Sequence, residues 1–132
     1  MYLYDASAIL NLVKRGNIKA FARGCTTDLA VYESINAVWK KSYILKKIRV
    51  DIAYRLIELL SNIFNVLNLY TVKGSEKEVL EIAMKEGITI YDASYIHIAK
   101  RNKLTLVTDD KKLINAAKKY TNVATTTETI TT

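Results

Sequence analysis

The chain has 132 residues, half of them apolar, which suits a single domain spanning residues 1–132 with one continuous core and excludes a second domain of ordinary size. Its one cysteine, Cys25, excludes an intramolecular disulfide framework; the early Asp5 interrupts any secretory apolar segment, and no apolar run reaches membrane-spanning length, so an unprocessed cytoplasmic protein with no membrane partner is expected. Twenty Lys plus Arg against thirteen Asp plus Glu give a net charge of +7, which favours a polyanionic partner such as nucleic acid, although a lysine-rich solvated surface accounts for the charge equally well.

In chain order, Met1 to Tyr4 reads as a short strand and Ala6 to Val13 as a helix with Ala8, Ile9, Leu12 and Val13 on one face, leaving Asp5 at the junction. A helical stretch around Ile18 to Arg23 precedes a second strand over Asp28 to Val31. A helix from about Tyr32 to Lys46 follows, with Ile35, Val38, Trp39 and Ser42 as its core stripe. Val50 to Phe64 repeats the helical period through Ile52, Leu56, Leu59, Leu60 and Ile63, with Asp51 as its cap, and Val66 to Tyr70 is a third strand. Ser75 and Glu78 have the spacing of a capping box, and Gly87 ends the helix they open. Ile88 to Tyr91 fits either a very short strand or an extended lead into a helix from Asp92 to Arg101. Leu104 to Val107 is the clearest buried strand, a helix runs on through Leu113, Ile114 and Ala117 to Tyr120, and Val123 to Thr125 adds a last strand. Strands alternating with helices predict an α/β domain whose mostly parallel sheet of four to five short strands is covered on both faces. No proline, linker or repeat interrupts it.

Connections leaving the carboxyl ends of parallel strands share one edge, where ligands bind. Asp5 and Asp110 follow strands directly, Glu33 begins the helix after the second strand and Asp92 begins another, so all four acids are expected to converge on that edge. Taken singly, each is explained as a helix cap or a first-turn acid. Capping alone does not account for the polar neighbour beside three of them: Ser7 two after Asp5, Asn36 one turn after Glu33 and Thr108 two before Asp110. Converging carboxylates repel one another and are tolerable only with cations among them. Oxygen-only ligands select Mg2+ or Mn2+, and one His with one Cys far from it exclude a zinc site. Such ions assist phosphoryl hydrolysis.

The runs Tyr4-Asp5-Ala6-Ser7, Glu33-Ser34-Ile35-Asn36, Tyr91-Asp92-Ala93-Ser94-Tyr95 and Leu106-Val107-Thr108-Asp109-Asp110-Lys111-Lys112-Leu113 together resemble a PIN domain, and in size and layout the VapC toxins of type II toxin–antitoxin pairs. The likeness covers nearly the whole chain. It implies a three-layer α/β/α fold and Mg2+- or Mn2+-dependent endoribonuclease activity. Asp5, Glu33, Asp92 and Asp110 would be the acidic quartet, Ser7 and Thr108 hydroxyls beside the metals, and Asn36 an accessory group. A cognate antitoxin and a homodimer are implied as partners. The family's Thr-x-Asp pattern selects Asp110 over its neighbour Asp109, which is left as a possible helper.

His97 falls about 140° around the helix from Asp92 and is expected to stay out of the site, and a lone His leaves no paired-imidazole route to RNA cleavage. Cys25 reads as a packing residue. Among the tyrosines, Tyr95, one turn beyond Asp92, is the candidate for contact with RNA in the groove. Two basic runs, Lys40, Lys41, Lys46, Lys47 and Arg49, then Lys100, Arg101 and Lys103, divide evenly between solvated helix faces and RNA contacts. A receiver-like signalling domain needs paired acids after the first strand and an Asp after the third, where this chain has Asp5 alone and Thr71. A haloacid-dehalogenase phosphatase needs Asp-x-Asp where Asp5-Ala6-Ser7 stands. The standing alternatives are an RNA-processing nuclease outside a toxin system and a PIN-like module that binds RNA or protein without cutting.

Overall fold

The computed structural model describes residues 1–130. Five strands, β1 (Tyr2–Tyr4), β2 (Cys25–Thr27), β3 (Asn68–Tyr70), β4 (Thr105–Val107) and β5 (Val123–Ala124), form one sheet in the order β3-β2-β1-β4-β5. Every adjacent pair is parallel, with Leu3 opposite both Cys25 and Leu106. Parallel neighbours need crossovers, and seven helices supply them or follow them: α1 (Ala6–Lys14), α2 (Asp28–Trp39), α3 (Val50–Val66), α4 (Glu76–Glu86), α5 (Ile90–Arg101), α6 (Lys111–Ala117) and α7 (Thr126–Ile130). Right-handed crossovers place α1 to α3 over one face, where the chain winds outward from β1 to β3, and α4 to α6 over the other, where it returns past β1 to β5. The result is the expected three-layer α/β/α arrangement. The central strands read as continuous apolar runs because both faces are covered: Leu3, Leu106 and Val107 are fully buried, as are Ile9, Leu12 and Ile96 on the flanking helices.

The winding direction reverses between β1 and β4, and there the loops leaving the carboxyl ends part to opposite faces and open a crevice. A backbone bond closes this junction up to its rim, Asp5 N–H donating to Val107 carbonyl at 3.1 Å, and Thr108 N–H donates to Ala124 carbonyl of β5 at 3.0 Å on the other side of β4.

Several local expectations are corrected. The second strand is Cys25–Thr27, and Asp28 to Val31 is the first turn of α2. The strand is hidden in the sequence because Thr26 and Thr27 look polar. Both are buried with satisfied hydroxyls: Thr26 donates to Tyr4 carbonyl at 2.6 Å, and Thr27 caps α2 by accepting from Ala30 N–H at 3.3 Å. The core face of α2 is Ala30, Ser34 and Val38, not the stripe through Ile35 and Trp39, which are about half exposed. The helix then loosens into a π-turn at Lys40–Ile44, where Trp39 and Tyr43 stack with centroids 5.6 Å apart. Arg49, not Asp51, is the N-cap residue of α3, and Asp51 pairs with Arg49 from the first turn. Ser75 does stand at the N-cap of α4, but its hydroxyl accepts from Arg101 at 2.8 Å instead of closing a capping box. Gly87 ends α4 in the left-handed conformation, as its position implies. Residues 88–91 form no strand: Thr89 caps α5 by accepting from Asp92 N–H, so Asp92 is the third residue of that helix. The last strand is present, α6 stops at Ala117, three residues before Tyr120, and α7 is an addition the pattern did not reveal. Among the described residues, no helix is long and apolar enough to cross a membrane.

Candidate active site

Asp5 directly follows β1 and caps α1, so strand and helix together fix its carboxylate at the carboxyl edge of the sheet. Ala8 N–H and Ser7 hydroxyl each donate to its Oδ1 at 2.8 Å, and Thr108 hydroxyl makes a very short bond to Oδ2. Burial, with only 5 % of the residue exposed, pushes the Asp5 carboxyl up to about 6; these three donors restrain the rise and the Glu33 charge adds to it. Thr108 opens the loop segment after β4 and faces two ways, donating to Asp5 while accepting from Asp110 N–H at 3.1 Å. This one hydroxyl ties the β1 acid to the β4 acid. Asp110 itself caps α6, accepting from Lys112 N–H at 2.9 Å and Leu113 N–H at 3.4 Å through Oδ1 alone.

Glu33 lies in the second turn of α2, half-buried, and accepts from the Tyr95 hydroxyl of α5 at 2.7 Å. Burial raises its carboxyl, Tyr95 counteracts this, and Asp92 raises it further. Asp92 is raised first by burial and then by Asp110, with Lys112 opposing. The four acids therefore feel one another in sequence: Asp5 with Glu33, Glu33 with Asp92, and Asp92 with Asp110. They grade from buried Asp5 through half-buried Glu33 and Asp92 to exposed Asp110, a row leading from the sheet to solvent. Among the described residues, no three His, Cys, Asp or Glu side chains form a closed metal-holding group. The coupling is pairwise along the row. Its donor set is nevertheless all oxygen, with three carboxyls held above their ordinary range, and that chemistry fits a hard divalent cation rather than zinc.

The structure separates the remaining predicted residues. Ser7 touches Asp5, its neighbour in the sequence, and Thr108, expected beside Asp110, reaches across to Asp5 as well. Tyr95 is corrected: only 2 % exposed, it cannot stack a base and instead positions Glu33, with Thr27 also within hydrogen-bonding reach of its hydroxyl. Asn36 is exposed on α2, one turn beyond Glu33. Asp109 turns away from the row. It accepts from Asn11 Nδ2 at 2.6 Å, Thr126 N–H at 2.9 Å and Thr126 hydroxyl at 2.6 Å, and although burial pushes its carboxyl up, these bonds hold it below the usual range. It pins α7 to α1, a role for Asn11 and Thr126 that no sequence signal marked beyond Asn11 lying one turn after Ser7. His97 sits between α4 and α5, near Glu78, and Cys25 is fully buried.

A family model described as PIN domain matches residues 2–119. Exonuclease VapC9 of Pyrobaculum aerophilum is 34 % identical over 126 residues, spanning 94 % of this chain and 91 % of that one. Ribonuclease VapC3 of the same organism is 34 % identical over 88 residues, or 67 % of this chain and 66 % of that one. The crystal structure of PAE2754, also from Pyrobaculum aerophilum, superposes with a TM-score of 0.80 at 29 % identity, covering 98 % of this chain and 94 % of the other.

Proposed function

The chain belongs to the PIN-domain family, and from that premise we propose that it is a Mg2+- or Mn2+-dependent endoribonuclease, the toxin of a VapBC-type pair acting in the cytoplasm. PIN domains are metal-dependent nucleases, and the relatives' names, exonuclease VapC9 and ribonuclease VapC3, support nuclease activity and a toxin role. The observation that carries the site is the row of mutually coupled carboxylates at the point where the sheet reverses its winding.

In this reading Asp5, Glu33, Asp92 and Asp110 hold the cation. Thr108 and Ser7 orient Asp5, and Tyr95 orients Glu33. The bound ion supplies Lewis-acid charge at the phosphodiester and a more acidic water. The products are a 3′-hydroxyl and a 5′-phosphate. The row lies on an open sheet edge, with Asp110 exposed, which supports attack inside an RNA chain. Apolar side chains left exposed along α2 and α3, including Ile35, Trp39 and Tyr54, support protein partners, an antitoxin and a second copy of the chain.

Cleavage of a circular RNA, which has no ends, tests the proposal. With Mg2+ or Mn2+ the protein should open the circle, and EDTA or Asp92→Asn should stop it. Cutting of linear but not circular RNA would make it an exonuclease, cutting in EDTA would remove the metal requirement, and RNA binding with no cutting at all would leave a non-catalytic module.

A further inference from the structure

Beside the acid row, on the α1 to α3 face, a cavity of about 430 Å³ opens between α1, α2 and α3. Its floor is apolar, formed by Leu10, Val13, Val38 and Leu56, and its size falls within the range of small-ligand sites, roughly 300–1,000 Å³. One wall residue, Ser7, connects it to the candidate active site, since its hydroxyl donates to Asp5; its neighbour in the wall, Asn11, holds Asp109, which faces away from the acid row. The remaining polar lining is cationic. Lys14 from α1 and Lys41 from the π-turn both line it, near enough that Lys14 acts on the Lys41 ammonium, Lys47 adds its charge, and no acid lines the cavity. Lys14 first, and burial second, push the Lys41 ammonium down to about 8. Like charges held side by side repel, more strongly at a protein surface than in open water. An anion between them converts that repulsion into attraction.

We propose that this cavity binds one nucleotide of the RNA beside the cleaved bond, its base against the Leu10–Val38–Leu56 floor and its phosphate between Lys14 and Lys41. Charge complementarity selects a phosphate, the apolar floor selects a base, and Ser7 at one end of the cavity puts it next to Asp5. The proposal rests on the nuclease reading and deepens it, because it makes this cavity a determinant of where the RNA is cut. It also gives the basic run around Lys41 and Lys47 a task that the acid row leaves unassigned.

Binding of a short labelled single-stranded RNA, measured in EDTA so that nothing is cut, is the primary test. Lys14→Gln and Lys41→Gln should each weaken binding by roughly tenfold and lower the salt dependence by about one counterion. Lys103→Gln, in the turn between α5 and β4 and outside the cavity lining, serves as the control for general charge and should do neither. A cavity-filling Ala37→Leu should change the distribution of cut sites on a long RNA. Equal losses from Lys41→Gln and Lys103→Gln would reduce the effect to diffuse surface charge and overturn the proposal. Unchanged RNA affinity in both cavity lysine variants would do the same, leaving the groove to a protein partner. Failure of the nuclease reading shows separately, as wild-type protein that binds RNA in EDTA but does not cut it when Mg2+ or Mn2+ is added.

Discussion

Asp5→Asn should stabilise the protein at neutral pH, because the candidate active site holds a charge where burial disfavours it. The Asp5 carboxyl is raised from its ordinary 3.8 to about 6. At about 1.4 kcal/mol per pH unit, the ionised side chain destabilises the native state by about 3 kcal/mol at pH 7. The sign follows from proton binding. Below pH 3.8 both states are protonated and there is no penalty; between 3.8 and 6 the unfolded chain releases its proton first, so stability falls as pH rises; above 6 the penalty is complete. Asparagine removes that charge while its oxygen still accepts from Ala8 and Ser7. Its amide, however, faces Thr108, whose hydroxyl loses the acceptor it uses on Asp5 and already accepts from Asp110 N–H, a loss of about 1 kcal/mol. The net gain is about 2 kcal/mol at pH 7.5, or a rise in Tm of about 6 °C at this chain length. At pH 3, where wild-type Asp5 is largely neutral in the folded and the unfolded chain alike, the variant should instead be about 1 kcal/mol less stable. Urea unfolding of both proteins at the two pH values, in EDTA, reads this directly. Added Mg2+ or Mn2+ should then stabilise wild type and not the variant. A variant less stable than wild type at pH 7.5, or a difference that does not depend on pH, would refute the electrostatic account.

Tyr95→Phe removes the hydroxyl that restrains the rise of the Glu33 carboxyl, so Glu33 should ionise at higher pH and the acid limb of the pH–rate profile should move upward. An unmoved limb would separate Tyr95 from the chemistry. Gly24→Ala adds a Cβ only 2.5 Å from Tyr4 Cε2. Tyr4 cannot yield, being buried, packed edge-on to Phe21 and bonded through its hydroxyl to Ala20 carbonyl at 2.8 Å. The backbone at Gly24 is in the ordinary extended region, so overpacking alone should lower stability by about 1–3 kcal/mol, and an unchanged urea midpoint would contradict the packing.

Local chemistry made much of this molecule legible. Apolar runs of three or four residues, helical stripes such as Ala8-Ile9-Leu12 and acids placed directly after strands are properties of neighbouring residues, and they indicated a covered parallel sheet with an acidic carboxyl edge. The β2 position was not legible, because Thr26 and Thr27 look polar until Tyr4 carbonyl and Ala30 N–H satisfy them. Nor did spacing alone divide the labour of Asp109 and Asp110. Adjacent in the chain, they part because Asn11 and Thr126, far away in sequence, capture one of them, while Thr108 links the other to Asp5. Tyr95 likewise became a support for Glu33 and not a surface for bases only when α5 was laid beside α2, 62 residues earlier in the chain. Side-chain type and spacing decide which groups are available at the sheet edge. Packing decides which of them face one another, since a hydrogen bond between distant residues depends on the path of the whole chain.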